Sequence, residues 1–241
     1  MIKIFRKIRQ RLLTENKFSK YLIYAIGEIV LVVIGILIAL QINNANENSK
    51  IENIKYNYYS QIVVDLDKEI ENINRRIIDL DSNITSSDKY LKYIETPNLE
   101  TTQIFQELVK VKIPWSYLSF NTNTIQTLES TGDIKLIPKN IRNSLIELKR
   151  KQEIISRLAT GNYEIYGNVL QKAFQSGYGR LLYKTPKVKE LDIKNNIPEI
   201  ILTLEAGIIT RNYTDKLVKD TLLEMLTEIK NIKELINQDR K

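Results

Sequence analysis

Asp65-Leu66-Asp67 is the first place in this chain where residue type and spacing suggest chemistry, because an Asp-x-Asp pair offers hard oxygen ligands to a divalent cation. On a helix, however, positions i and i+2 point about 200° apart, so these two carboxylates diverge. The nearby acids Glu69, Glu71, Asp79 and Asp81 are expected on the same solvated faces, as ordinary surface charge. Gly177-Tyr178-Gly179-Arg180 lacks the following glycine and the preceding strand that a phosphate cradle needs, and no Walker-type Gly-Lys-Ser/Thr occurs. The chain contains no His and no Cys, which removes Ser-His-Asp and Cys-His nucleophiles, thiol redox motifs and zinc sites built on those ligands. Carboxylate, Lys, Tyr and Ser/Thr chemistry remains, and no constellation of these meets the geometric requirements of an active site. The expectation is a protein that is not an enzyme and that carries no metal and no cofactor.

One further carboxylate stands in an unusual place. Glu28 lies within Tyr21–Ile42, a run of branched aliphatics in which it is the only charge. A helix over that run covers about 33 Å at ~1.5 Å per residue, close to the thickness of a bilayer's hydrocarbon core. An acid at that depth costs on the order of a few kcal/mol unless it is protonated, paired or turned to a wet interior. Tyr24, Lys20 or a basic or proton-carrying partner could meet it; a protonated or snorkelling Glu28 near the interface is the plainer account. Tyr21, Glu28, Gly35 and Ile42 recur at heptad spacing, and Ala25, Val32 and Ala39 each follow four later, so all fall on one face of the helix. Gly35 and Ala39 form a small-xxx-small pair of the kind that lets backbones approach. The stripe Ala25, Glu28, Val32, Gly35 and Ala39 is therefore expected to mediate self-association or the binding of another membrane protein, with Ile, Leu and Val turned to lipid.

The elements that must position these residues begin with a basic tail. Residues 1–20 carry Lys3, Arg6, Lys7, Arg9, Arg11, Lys17 and Lys20 against Glu15 alone, so nearly all of the net charge of +7 resides there. The rest of the chain is close to neutral, which argues against nucleic acid as a partner. No Lys or Arg occurs over 41–49, and this asymmetry places the N-terminus in the cytoplasm and everything after Asn43 across the membrane. The apolar run is too long for a cleaved signal peptide and its exit, Ala39-Leu40-Gln41, does not fit a small-x-small cleavage site, so an uncleaved signal anchor over 21–43 is expected. Phe5, Ile8 and Leu12 among the basic residues suggest a short amphipathic helix on the anionic leaflet, unless the charges serve topology alone.

Residues 46–241 suffice for one domain with a real core. Residues 46–95 read as a long helix continuing from the membrane segment, with Ile62, Leu66, Ile70, Ile73, Ile77, Leu80 and Ile84 as a near-heptad stripe that ends before Pro97. A short helix is expected around Thr101–Val111. It precedes an aromatic cluster, Trp115, Tyr117 and Phe120, which plugs a bundle end, lines a ligand groove or touches the outer leaflet. A helix over Asn121–Thr131 should stop at Gly132, and Ile134–Ile137 should cross over to a helix opened by Pro138. Ile141, Leu145, Leu148, Ile155 and Ala159 mark its buried face, continuing through Tyr166, Val169 and Ala173, with bends at Gly161 and Gly167 and an end at Gly177-Tyr178-Gly179. The last helix is expected from Asn196, with a break at Gly207 and a stripe Val218, Leu222, Met225, Ile229, Ile232 and Ile236 that also passes Ile201, Leu204 and Ile208. Arg211 and Asp215 lie near that stripe as an i,i+4 pair. With no strand pattern, the fold class is all-α: a transmembrane helix followed by an elongated extracytoplasmic helical bundle.

The run Ile2–Arg9, the run Asn16–Leu22 and above all Tyr24–Asn44 resemble the signature of a large uncharacterised family of single-pass membrane proteins of Bacteroidota. A second matching patch comprises Thr124, Leu128, Ser130, Thr131, Gly132, Ile134, Leu136, Ile137, Ile141 and Arg142, and Ala45 departs from the pattern, which has Trp there. The resemblance implies an inner-membrane anchor with a periplasmic helical domain, and brings no activity, cofactor or catalytic residue. The function expected is thus that of an envelope scaffold or accessory subunit contacting the lipid bilayer and either a second copy or another membrane protein. The alternatives are an extracytoplasmic ligand sensor passing a helix shift through the anchor, and a component that moves protons through Glu28.

Overall fold

The computed structural model describes residues 18–112, 118–183 and 196–240. Among them every regular element is helical: α1 (Phe18–Tyr93), α2 (Thr101–Leu108), α3 (Asn123–Thr131), a 3₁₀ turn (Asp133–Leu136), α4 (Lys139–Gln175), α5 (Tyr178–Tyr183) and α6 (Ile197–Asp239). The chain divides into two compact units, Met1–Asn57 and Tyr58–Lys241.

In the first unit the described residues are α1 alone. Its apolar stretch is long enough to cross a membrane, and none of it is buried against other parts of the protein. Exposure of so many branched aliphatics in water would be costly, so a single-pass membrane topology with lipid around this helix is the physical solution.

The second unit is built on three seams. In α1 the buried positions are Tyr59, Ile62, Leu66, Glu69, Ile73, Arg76, Leu80, Asn83, Ser87 and Tyr90, alternating steps of three and four. α4 repeats the pattern at Ile141, Leu145, Leu148, Gln152, Ile155, Ala159, Asn162, Tyr166 and Ala173, and α6 at Leu204, Ile208, Arg211, Asp215, Val218, Leu222, Met225, Ile229, Ile232 and Ile236. That spacing keeps one narrow face of each helix turned to its neighbours. Side-chain contacts give the directions: Asp67–Lys233, Asp81–Lys219 and Asp88–Lys216 run α6 antiparallel to α1, and Lys151–Glu228 together with Tyr163–Arg211 runs it antiparallel to α4.

Several expectations are corrected by these seams. Ile70, Ile77 and Ile84 flank the α1 seam and are only partly buried, because the fully buried positions beside them belong to Glu69, Arg76 and Asn83. Glu69 is not on a solvated face; it is buried under the chain around Asn121. α6 runs through Gly207 without the expected break. Other expectations hold. The end expected at Gly177-Tyr178-Gly179 is there, the long helix stopping at Gln175, and the chain then resumes a short helix, α5, at Tyr178. Gly132 adopts φ 78° at the end of α3, a conformation that favours glycine. Pro138 opens α4, and Asn196 with Pro198 opens α6.

Candidate functional site

The expected membrane stripe lies on the first part of α1, with Ala25 and Glu28 half-buried and Val32, Gly35 and Ala39 exposed. Ala25, Glu28 and Val32, with Ile29 and Val33, line a shallow concavity of about 360 Å³. Gly35 lies farther along, and a Cβ built on it would meet nothing within 4 Å. The basic residues Lys3, Arg6, Lys7, Arg9, Arg11 and Lys17, and the Lys20 side chain, lie outside the described residues, as do Trp115 and Tyr117. Of the aromatic cluster, Phe120 is described: half-buried, it packs against the main core and edges a groove of about 320 Å³ with Thr122, Gln152, Glu153, Ser156 and Arg157.

Asp65 and Asp67 diverge as their spacing requires. Asp67 pairs with Lys233 across to α6. Asp65 turns the other way and accepts from the Asn121 side-chain amide at 3.0 Å, from the Thr124 amide at 3.3 Å and from the Thr124 hydroxyl. One turn on, Glu69 accepts from the Asn121 backbone N–H at 2.9 Å. Two carboxylates of α1 therefore satisfy and charge-balance the start of α3, where helix N–H groups lack partners. Burial pushes the Glu69 carboxyl above its ordinary range, against the Asn121 hydrogen bond, which lowers it, and with the Asp65 charge, which raises it further. Among the described residues no group of three or more acids converges in a way that would hold a metal ion.

The densest buried chemistry lies where the three seams carry polar residues together. Arg211 of α6 is buried with its guanidinium over the rings of Tyr163 and Tyr166 of α4, 5.3 and 5.2 Å from their centroids, and its Nε is 3.5 Å from Asp215 Oδ2. Arg76 of α1 donates to the Tyr163 hydroxyl and lies 6.0 Å from that ring. Burial raises the Asp215 carboxyl above its ordinary range although Arg211, Arg76 and Asn83 all act to lower it. Burial likewise pushes the Tyr166 phenol up. At the edge of this layer Asn212 donates to Asp88 at 2.7 Å and Lys216 donates to the same carboxylate oxygen at 2.8 Å; the Lys216 bond leads the effects holding Asp88 below its usual range. Beside it the α4–α6 crossing is tight: a Cβ on Gly207 would lie 2.8 Å from Val169 and 3.0 Å from Tyr166, so the absence of a side chain is what lets Tyr166 lie against α6.

The layer divides the apolar core. One cluster gathers around Leu66, Leu145, Leu148, Leu222 and Ile229, the other around Tyr90, Ala173, Ile200 and Leu204. Guanidinium stacking and a buried ion pair fit a single alignment of three helices, whereas aliphatic layers tolerate a slip. Sequence reasoning placed Arg211 and Asp215 near the last stripe but did not bring Arg76, Tyr163 or Asn83 to them. A signal was present: Glu69, Arg76 and Asn83 recur at heptad spacing within the α1 seam.

The model of a family of unknown function, DUF6090, matches residues 28–203. No curated protein and no solved structure matches the sequence.

Proposed function

As a member of the DUF6090 family the chain inherits no assigned activity, and we propose that it is a non-enzymatic envelope protein of the inner membrane, N-terminus in the cytoplasm and bundle in the periplasm, that acts by protein–protein association. The observation that carries this reading is how the bundle spends its charge. Asp67, Asp81, Asp88 and Glu228 each pair with a lysine of another helix, and Arg76, Arg211 and Asp215 are committed to the interior. Such an arrangement holds helices in register and turns rigid faces outward, which suits a scaffold. In the membrane the stripe Ala25, Glu28, Val32, Gly35 and Ala39 is the association face, since its small residues let a neighbouring helix approach and its first part carries a shallow concavity lined by Ala25, one acid and branched aliphatics.

In-cell photocrosslinking from Ala25 and Val32, with mass-spectrometric identification of adducts, tests this. Self-adducts mean a homo-oligomeric scaffold and a defined second membrane protein means an accessory subunit. Lipid adducts alone remove the stripe from the proposal. Since the chain has no native cysteine, single cysteines in the tail and in α4 report orientation by labelling with an impermeant maleimide.

A second reading, the periplasmic ligand sensor, draws support from the groove at Phe120, Thr122, Gln152 and Arg157, which sets an aromatic face beside an amide and a cation. A saturable rise in melting temperature with a small molecule, abolished by Arg157→Ala, would favour it.

A further inference from the structure

The groove beside Phe120 contains a buried acceptor that the fold leaves unused. One wall is Gln152, Glu153, Ser156 and Arg157 of α4, two adjacent pairs one helical turn apart; the other is Phe120 and Thr122, in the chain leading into α3. Gln152 is 2% exposed, and its Oε1 accepts no hydrogen bond among the described residues. A buried acceptor without a donor costs free energy, and rotation about χ3, which is broad for an amide, turns that oxygen toward a donor in the groove. On the rim Glu153 and Arg157 are both exposed, and among the described residues no ion pair joins them. Lys149 pairs with Glu129 and lies 4.0 Å from Glu153, beyond hydrogen-bond distance, so the Glu153 carboxylate is not committed elsewhere.

We infer that this groove binds a zwitterionic α-amino acid with an apolar side chain. The inference rests on the ligand-sensor reading above and names the class of its ligand. Arg157 takes the carboxylate, Glu153 and Gln152 Oε1 take the ammonium, and the Phe120 ring covers the side chain. Glu153 and Arg157 are four apart on α4, which sets their Cβ atoms about 5–6 Å apart, a spacing suited to opposite charges carried on one α-carbon. The two hydroxyls fit the same ligand. Ser156 donates to the Leu118 carbonyl at 2.9 Å and keeps lone pairs for an N–H; Thr122 accepts from the Gln126 amide at 2.9 Å and keeps its proton for a carboxylate oxygen. An amine alone would leave Arg157 without a partner, and a carboxylate alone would leave Gln152 Oε1 without a donor. At about 320 Å³ the groove is at the small end of ligand sites, with room for one amino acid rather than a folded partner. Asn121, between Phe120 and Thr122, is bonded to Asp65 and Glu69 of α1, so a ligand gripping this segment acts on chain tied to that helix.

The test titrates the full chain in detergent micelles with three probes: L-phenylalanine, phenethylamine, which lacks the carboxylate, and 3-phenylpropionate, which lacks the ammonium. Calorimetry should give L-phenylalanine a Kd of roughly 0.1–1 mM, in line with about twelve non-hydrogen atoms in an open groove, and the melting temperature should rise saturably. Each truncated probe should bind roughly tenfold more weakly. Arg157→Gln, at an exposed site, should weaken phenylalanine to the level of phenethylamine and leave phenethylamine unchanged. Glu153→Gln should weaken phenylalanine but not 3-phenylpropionate. Gln152→Leu should raise the melting temperature of the ligand-free chain by removing the orphaned acceptor, and weaken phenylalanine several-fold. A truncated probe that binds as tightly as phenylalanine overturns the inference and leaves the sensor reading standing with another class of ligand. Phenylalanine binding that is unchanged in Arg157→Gln and in Gln152→Leu overturns the assignment of the site. No heat and no melting shift with any probe up to about 10 mM overturns the inference and removes the support that this groove lends to sensing.

Discussion

Two stretches of α6 obey the same spacing and carry opposite chemistry. From Val218 to Ile236 the seam is aliphatic or Met at every step and lies in the main core; one turn earlier the same seam presents Asp215 and Arg211, stacked on tyrosines of α4 and completed by Arg76 from α1. The aliphatic stretch supplies stability that depends little on which layer meets which. The charged stretch supplies little net stability, since desolvation offsets most of the attraction of a buried pair, but it makes a misaligned bundle expensive. The largest effects should come from breaking this layer asymmetrically. Asp215→Leu alone should cost about 4 kcal/mol in chemical denaturation, because it takes away the carboxylate that two buried guanidiniums face. Leu222→Ala, in the aliphatic stretch, should cost about 3 kcal/mol by leaving a cavity. The simultaneous replacement Arg76→Met, Arg211→Met and Asp215→Leu should be neutral or more stable than the native chain. If the single and the triple variant lose equal stability, the two stretches do not differ as described.

Acidity separates the stretches more gently. Burial holds Asp215 and Glu69 above the ordinary carboxylate range, so the folded chain binds these protons more readily than the unfolded one. Their contribution to stability is present in full below the ordinary range and is lost as pH rises through the raised values. Asp88, lowered chiefly by Lys216, has the opposite sign: its contribution is present above the ordinary range and fades as pH falls through its lowered value. The stability difference between the native chain and Asp215→Asn should therefore move in favour of the native chain as pH falls from neutral toward the ordinary Asp range. An identical shift for Leu222→Ala, which removes no titrating group, would show that the effect is global rather than seated at Asp215.

How much of this was legible in the sequence follows from the same contrast. Aliphatic layers announce themselves, so Leu145, Leu148, Leu222 and Ile229 were expected in the core and are there. The membrane-length helix, the stop at Gly132 and the Pro198 start of α6 are local rules that tertiary structure had no cause to override. Where a seam position is polar, hydrophobic periodicity slides to the nearest aliphatic neighbour. That is why Ile70, Ile77 and Ile84 stood in for Glu69, Arg76 and Asn83, and why Glu69 was assigned to solvent. Burial of those side chains is decided by partners distant in sequence, such as Asn121 for Glu69 and Tyr163 for Arg76, which spacing within one helix does not reveal.

The smallest effect expected is also the one that separates the two stretches most cleanly by geometry. Gly207 lies on α6 where it crosses α4, at the N-terminal side of the charged layer. Alanine there would gain about 1 kcal/mol in helix propensity, as at any helix interior. Its Cβ, however, would stand 2.8 Å from Val169 Cγ1 and 3.0 Å from the Tyr166 ring, and overpacking of that kind costs typically 1–3 kcal/mol. The net change should be a loss of roughly 1 kcal/mol, with Tyr166 displaced from beneath Arg211. Gly161 of α4 supplies the control, because a Cβ there meets nothing within 4 Å. Gly161→Ala should raise the melting temperature by the propensity gain alone. Opposite signs for the two alanines would locate the tight crossing at Gly207, and two stabilising alanines would mean that Tyr166 and Val169 yield freely, so that the charged layer is not held by close packing from that side.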